Sequence, residues 1–331
     1  MLLTWDRMRA PGCFLTLITF PVMLRQASGA GKWCYDSQDV SCGPAHWKDV
    51  NHNCGGENQS PINLDRTRMH RNQNLGNIIF QGYDRAPPGM WRLMNNGHSV
   101  LVRLEGETVI GNMNISGAGL PNTFQALQFH FHWGSPMSDG SEHTVDGKQY
   151  PMELHIVHLN AKYRSVAEAT KDPNGLAVLG FLFTIAEADN PNYNTILAGL
   201  KNVSLKGNSV DLASTFRLDN LLPSMEKLSR YYRYQGSLTT PDCEEAVIWT
   251  VFEDTISISH AQLNEFVDTV HFTAISETPV KMKNNFRPPQ PLKNRKVYAS
   301  KYTMINHSAS VHVSQFTFLF LLLLGQMQLH L

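Results

Sequence analysis

The chain has 331 residues, which is enough for one large domain or two domains of medium size. Its 28 Lys and Arg residues balance 28 Asp and Glu residues, and this argues against nucleic acid or an acidic polymer as a partner. No repeat, charge block or low-complexity tract divides the chain, so we expect one core. The 14 histidines are clustered, which favours metal or proton chemistry.

Residues 1–30 have the pattern of a secretory signal peptide. Arg7 and Arg9 precede an apolar run over residues 13–24, and small residues at 27–30 supply a cleavage site. The alternative is that the apolar run forms a buried first helix. Removal of this segment would also remove Cys13, the first of five cysteines.

An even number of cysteines would then remain, and in an exported chain this indicates disulfide bonds. They are Cys34, Cys42, Cys54 and Cys243. Four cysteines allow three different pairings, and the spacing does not choose among them. Three glycosylation sequons fit the same compartment. They begin at Asn114, Asn202 and Asn306.

Short runs rich in aromatic and β-branched residues predict strands. They cover residues 99–104, 123–133, 152–158, 177–184 and 246–252. Helix candidates are fewer and shorter, at residues 166–170, 193–202, 221–227 and 259–268. The last of these begins with Ser259, which is a favourable N-cap residue. This mixture predicts a mainly β (α+β) single domain in which short peripheral helices surround one large sheet.

Two of the predicted strands carry histidines at positions that share a face. Alternate side chains of a strand point the same way, so His130 and His132 lie on one face. In the later strand, Glu153, His155 and Val157 also share a face. If the strands are neighbours, three imidazoles meet, and three neutral imidazoles with one open position form a catalytic zinc site. Alternatively, each histidine is satisfied singly by neighbouring polar groups.

The C-terminal segment, residues 301–331, has the pattern of a stalk followed by a lipid-attachment signal. Its apolar run over residues 316–324 is too short to span a bilayer, which needs about twenty apolar residues. Small residues at 308–310, a polar spacer and the apolar tail instead predict a glycosylphosphatidylinositol (GPI) anchor at Ser308. A neighbouring attachment residue and a poorly formed membrane span are the alternatives.

Six motifs in one order resemble the α-class carbonic anhydrases. They lie at residues 59–63, 95–98, 128–133, 140–146, 153–158 and 236–241, and the resemblance runs from about residue 33 to residue 287. The cysteines and both chain ends are most similar to the membrane-anchored, extracellular types IV and XV. The resemblance implies disulfides Cys54–Cys243 and Cys34–Cys42. It also implies about ten mostly antiparallel strands in a twisted central sheet, and a catalytic domain over residues 31–300.

The same resemblance implies an enzyme that reversibly hydrates carbon dioxide to bicarbonate and a proton through zinc-bound hydroxide. His130, His132 and His155 would hold Zn²⁺. Thr239 would accept a hydrogen bond from the hydroxide and donate its own to Glu142. The other expected residues are grouped by role: Gln128 and Glu153 orient ligands, His143 is a buried structural histidine, and Thr240 contacts bicarbonate.

A dry wall for the substrate and a path for the proton are implied in the same way. The wall residues are Val157, Val178, Leu238, Val247 and Trp249. His98 would carry the proton, and Asn96 and Tyr35 would hold the connecting water chain. Leu101 departs from the polar residue of fast cytosolic members, which puts the rate of proton transfer in doubt.

The expected location is the extracellular face of the plasma membrane, with sulfonamides as inhibitors and a bicarbonate transporter as a possible partner. The main alternative is a catalytically silent carbonic-anhydrase-like module that binds a protein at the cell surface. Such modules usually lack a zinc histidine, whereas this chain has all three. A different zinc hydrolase is less well supported, because no separate general base stands beside the predicted metal.

Overall fold

Strands dominate the part of the chain that the computed structural model describes, which is residues 32–105 and 113–305. The strands are β1 (Asn63–Leu64), β2 (His70–Arg71), β3 (Ile78–Gln81), β4 (Met90–Asn95), β5 (Val100–Glu105), β6 (Asn114–Gly117), β7 (Phe124–Trp133), β8 (Thr144–Val145), β9 (Met152–Asn160), β10 (Leu176–Ala186), β11 (Ser209–Asp211), β12 (Tyr231–Gly236), β13 (Val247–Phe252), β14 (Ile256–Ser259) and β15 (Tyr298–Ala299). The predicted strands correspond to β5, β7, β9, β10 and β13. The predicted signal peptide, Asn306 and Ser308 lie outside the described residues.

One large sheet organises these strands. Its main path has ten strands in the order β11-β4-β5-β7-β9-β10-β13-β12-β15-β2, and β3, β6 and β14 join it from the side. Most neighbours are antiparallel, whereas β10 pairs in parallel with β13 and β14, and β15 with β2. A separate parallel pair is formed by β1 and β8. The predicted fold class is therefore confirmed, with thirteen strands in the main sheet of the described residues.

The two faces of the central strands bury different apolar clusters. Phe129 and Phe131 of β7 face the larger cluster, which packs against the helices. Val157 of β9 faces the smaller cluster together with Trp249 of β13. Since the intervening residues of β7 point toward this second face, polar side chains at its alternate positions lie beside the smaller cluster.

In the described part of the chain, four short α-helices lie around the sheet: α1 (Trp47–Val50), α2 (Val166–Ala169), α3 (Asn194–Leu200) and α4 (His260–Thr269). The Ser259 side chain caps α4, as its position predicted. It also forms a capping box with Gln262. The helix predicted over residues 221–227 is wrong. Short 3₁₀ helices at Leu218–Leu221 and Lys227–Ser229 flank that segment instead. Pro223 disfavours helical backbone at Leu222, which is extended.

Both disulfides implied by the resemblance are present. Cys34 is bonded to Cys42, and Cys54 is bonded to Cys243 across 189 residues. The longer bridge connects the segment before β1 to the loop between β12 and β13. Among residues 32–105 and 113–305, no helix has the length and apolar character needed to cross a membrane.

Candidate metal centre

Three histidines converge where β7 and β9 run side by side. The register places His130 directly opposite His155, and His132 lies two residues further along β7 on the same face. The ring centroids are 4.7–5.2 Å apart. One nitrogen from each ring can be chosen so that the three nitrogens lie within 4.8 Å of one another. The alternation of β7 therefore brings together the histidines that the sequence singled out.

The neighbours of two rings fix which nitrogen is free. Nδ1 of His130 donates to Oε1 of Gln128 at 3.0 Å, and Nε2 of His155 donates to Oε1 of Glu153 at 2.7 Å. In each ring the other nitrogen then keeps its lone pair and can act as a metal ligand. Gln128 and Glu153 each precede the histidine they contact by two residues, because strand alternation puts both side chains on one face.

The third ring is held by a group that the sequence did not indicate. Nδ1 of His132 donates to the backbone oxygen of Asn285 at 2.8 Å. Nε2 of His132 is buried and has no hydrogen-bond partner in the described part of the chain. Any residue can offer a carbonyl, so no sequence signal marks position 285. The orphaned Nε2 and the three neutral donors fit a zinc ion, which prefers imidazole nitrogen.

Burial keeps the three imidazoles neutral. It lowers the pKa of His132 to about 3, with a further contribution from the nearby ring of His155. Burial also lowers the pKa of His130 well below its usual value, and the neighbouring histidines add to this effect. The pKa of His155 is lowered by burial, although Glu153 opposes the shift. Neutral imidazole is the form that binds a metal.

Glu153 is a fully satisfied buried carboxylate. Its Oε1 accepts hydrogen bonds from His155 and from Nδ1 of His143 at 2.6 Å, and its Oε2 accepts from the backbone N–H groups of Glu142 and His143, both at 2.8 Å. Burial alone would raise its pKa, but the two imidazoles and their hydrogen bonds hold the pKa of Glu153 well below its usual value. His143, Glu153 and His155 could also hold a metal by distance, but their facing atoms are already joined by hydrogen bonds.

His143 extends this hydrogen-bond network away from the three candidate metal ligands. The ring is fully buried, and its Nε2 lies 2.7 Å from the hydroxyl of Tyr234. That hydroxyl lies 2.9 Å from Oγ of Ser60. The sequence predicted a buried structural histidine at this position, but neither Tyr234 nor Ser60 was anticipated as its support.

A second buried carboxylate, Glu142, lies beside the ligand candidates. Its Oε1 accepts a hydrogen bond from the backbone N–H of Arg287 at 2.8 Å. Its Oε2 has no hydrogen-bond partner among the described residues and lies 3.4 Å from Nε2 of His132. Burial and the charge of Glu153 raise the pKa of Glu142 well above its usual value, and the nearby Thr239 side chain opposes the shift. Arg287 is a further residue that the motifs did not indicate.

A cavity of about 260 Å³ opens at His130 and His155, two of the three histidines. Most of the residues expected around the substrate line it, and its surface includes three apolar residues that the sequence missed. The expected lining residues are Val157, Val178, Leu238, Thr239, Thr240 and Trp249, and the missed ones are Leu127, Val166 and Leu176. Val247, which is fully buried in the smaller apolar cluster, is not among the residues that line the cavity.

The residues expected along the proton path do not form a simple chain of polar groups. His98 is half-buried and stacks on Trp33, with ring centroids 3.7 Å apart. Burial, with a contribution from Lys206, lowers the pKa of His98 to about 4. Tyr35 is buried, and its hydroxyl has no partner in the described residues. The side-chain oxygen Oδ1 of Asn96 accepts hydrogen bonds from the backbone N–H groups of His98 and Ser99, which fixes the turn.

The strand next to β7 brings an apolar residue to this path. Leu101 of β5 lies directly opposite His130 in the register.

The two described sequon asparagines differ in exposure: Asn202 is exposed, whereas Asn114 is half-buried in β6.

Comparison with known proteins places this site in a family. The family model for eukaryotic-type carbonic anhydrases matches residues 42–301. The chain is 47% identical to carbonic anhydrase 15 of Mus musculus over 298 residues, which cover 90% of this chain and 92% of that protein. It is 38% identical to carbonic anhydrase 4 of Oryctolagus cuniculus, over 81% of this chain and 84% of that protein. Carbonic anhydrase 12 of Homo sapiens is 39% identical over 81% of this chain and 73% of its own length.

Proposed function

The chain belongs to the eukaryotic-type carbonic anhydrase family, whose members are lyases that hydrate carbon dioxide, and we propose that it does so as a zinc enzyme with a histidine proton carrier. The observation that carries the proposal is the arrangement of the ligand candidates. Each of His130, His132 and His155 donates one ring proton to a fixed acceptor and turns its free nitrogen toward the other two. When bound, zinc would supply a Lewis acid that makes water a nucleophile at neutral pH.

Thr239 and Glu142 would orient the nucleophile. Thr239 lies near enough to Glu142 to lower the pKa of that carboxyl, and its hydroxyl would donate its proton there. One hydroxyl cannot donate in two directions at once. Its oxygen is therefore left to accept a hydrogen bond from a hydroxyl group in the cavity. This acceptance turns a lone pair of that group away from Thr239 and toward a substrate. Thr240, which lines the same cavity, would contact bicarbonate.

The apolar wall would hold carbon dioxide beside the histidines. Val157, Val178, Leu238 and Trp249 offer no hydrogen bond to a bicarbonate ion along their aliphatic and ring surfaces, except for the indole N–H. That N–H donates to the backbone oxygen of Ser237 at 2.9 Å and is therefore engaged elsewhere. A small nonpolar substrate fits such a wall better than its charged product does.

His98 would pass the proton to solvent, with Tyr35 and Asn96 beside its path. In the stacked position on Trp33 the imidazole is neutral at pH 7, since its pKa is lowered to about 4. A neutral ring can accept a proton, and a more hydrated position of the ring would raise its pKa toward the ordinary value near 6.5.

We also propose that the protein is displayed outside the cell. The two disulfides support an oxidising compartment. The proposal includes a signal peptide at residues 1–30, a catalytic domain at 31–300 and a GPI-attachment segment at 301–331, with Ser308 as the lipid acceptor. Asn114, Asn202 and Asn306 are the proposed glycosylation sites, and a bicarbonate transporter is the proposed partner. Release from cells by a phosphatidylinositol-specific phospholipase tests the anchor, and retention on the membrane would contradict it.

Stopped-flow hydration of carbon dioxide, combined with zinc quantification, tests the catalytic proposal. The purified protein should contain one zinc per chain and should be inhibited by aromatic sulfonamides. His132→Ala should lose both zinc and activity, whereas the matched variant His158→Ala, which removes a buried histidine outside the site, should keep zinc. A zinc-free protein that still hydrates carbon dioxide would refute the assignment of the three histidines.

A further inference from the structure

A groove of about 610 Å³ lies beside β12 and β15, and none of its lining residues lines the cavity at the candidate metal centre. In the β12–β13 pairing, Arg233 lies opposite Thr250 and Tyr234 lies opposite Trp249. Adjacent residues of a strand point to opposite faces, so Arg233 faces away from Trp249, which lines the metal cavity. The groove is therefore separate from the site described above.

The lining of this groove is rich in positive charge and in hydrogen-bond donors. Three basic residues and three asparagines contribute to it, and no Asp or Glu is among its lining residues. They are Arg233, Arg295, Lys296, Asn72, Asn174 and Asn294. Lys296 and Asn294 are exposed at the rim, whereas Arg233 is only 7% exposed.

Arg233 is a buried cation with no counter-ion among the described residues. Its Nε donates to Oγ1 of Thr250 and its Nη1 donates to the backbone oxygen of Ala118, both at 3.0 Å. Its Nη2 has no hydrogen-bond partner in residues 32–105 and 113–305, and no carboxylate of these residues forms a salt bridge with it. The face of the Tyr231 ring lies 5.4 Å from its Cζ. A buried, unpaired charge is costly to a fold, so an external anion would stabilise this position.

The guanidinium remains charged at neutral pH. Burial lowers the pKa of Arg233 to about 10, and only Tyr231 opposes the shift. Arg295 donates to the backbone oxygens of Leu292, Gln235 and Pro291, which fixes its position without neutralising its charge. Glu245 lies near enough to Arg295 to affect its pKa, but this carboxylate already accepts hydrogen bonds from Asn58 and Gln59.

We propose that this groove binds a phosphate-type oxyanion, with Arg233 at its base and Arg295 and Lys296 at its rim. Three positive charges favour a doubly charged anion over bicarbonate, which carries one charge. Guanidinium groups and asparagine amides are donors that match tetrahedral oxygens. The anion is either free phosphate or the phosphate group of a larger molecule, and the volume of the groove admits both.

Isothermal titration calorimetry on the full-length protein, in a buffer without competing anions, tests this site. Inorganic phosphate and glycerol 3-phosphate are titrated separately, before and after treatment with a zinc chelator. The chelator distinguishes the groove from an anion bound at the metal centre. We expect saturable binding that survives chelation, with bicarbonate binding more weakly. Tighter binding of glycerol 3-phosphate would identify a phosphomonoester as the ligand, and equal affinities would identify free phosphate.

Substitutions then locate the bound anion. Lys296→Gln removes one exposed charge and should weaken phosphate binding by about threefold to fivefold. Asn294→Asp introduces a negative charge at the rim and should weaken it further, while Arg233→Gln should abolish it. The rim variants decide the question if Arg233→Gln does not fold. Lys227→Gln, which changes an exposed lysine outside the groove, serves as the matched control. Absence of saturable binding, loss of binding on chelation, or affinity unchanged in both rim variants would overturn the proposal.

Discussion

Replacing Glu153 with glutamine should separate the two ways in which this carboxylate serves the site. Glu153 accepts four hydrogen bonds at 2.6–2.8 Å, two from imidazoles and two from backbone N–H groups. Glutamine has the same shape, but one of its two terminal atoms is an NH₂ donor. In either orientation of the amide, two N–H groups that donated to Glu153 therefore face the NH₂ group, which is itself a donor.

The two orientations have different consequences. If the NH₂ group faces the backbone, the N–H groups of Glu142 and His143 lose their acceptor, and the fold is destabilised by about 3 kcal/mol. If the NH₂ group faces the imidazoles, Nε2 of His155 must become an acceptor. The ring proton then moves to Nδ1, the nitrogen that would otherwise bind the metal. Either way the negative charge behind His155 is lost, so we expect zinc affinity to fall by about 10–100-fold.

Chelator competition measures zinc affinity, and denaturant unfolding of the metal-free protein measures stability. Gln128→Ala is the comparison, since it removes a single neutral hydrogen bond from His130 at a partly exposed position. Its zinc affinity should fall near the lower end of the same range. A folded Glu153→Gln protein with unchanged zinc affinity would refute the reasoning, because the orientation of His155 would then not depend on Glu153.

Three further predictions follow from the same contacts. Thr239→Val should lower kcat/KM for hydration by about 100-fold through misorientation while zinc content stays unchanged; a loss of zinc would contradict this role. His98→Ala should slow turnover in weak buffer and recover with added imidazole, and a rate independent of buffer would show that His98 carries no proton. The buried imidazole of His158 has its pKa lowered to about 4, so its contribution to stability is complete above about pH 6.5 and falls by up to about 3 kcal/mol as the pH drops toward 4. His158→Gln should lose less stability over that interval in urea titrations, and equal losses in both proteins would contradict the prediction.

The sequence could predict the part of the site that depends on strand alternation. His130, His132 and His155, together with Gln128 and Glu153, lie in two strands, and their shared face follows from the period of two residues. The pattern alone did not show that the two strands are neighbours or how their residues pair. However, alternating histidines in an aromatic strand are hard to reconcile with an ordinary core.

What the sequence could not predict comes from loops that are distant along the chain. Asn285 supports His132 through a backbone oxygen, and Arg287 holds Glu142 through a backbone N–H. Backbone groups carry no residue signature, so no motif marks them. The failed helix at residues 221–227 has a different cause, since local helix propensity was outweighed by Pro223 and by the extended backbone before it.

Glu142 and Glu153 are residues of the same type in one buried region, but their different surroundings give them different roles. Glu153 has all of its acceptor capacity engaged by four donors, and the pKa of Glu153 is held low even though burial opposes this. Glu142 keeps one oxygen without a partner in the described residues, beside the orphaned Nε2 of His132, and burial raises its pKa. The first environment is complete without a metal and therefore positions a ligand. The second would gain from a cation at the three histidines, because a positive charge would favour the ionised carboxylate and thereby make it a stronger acceptor for the nearby Thr239 hydroxyl.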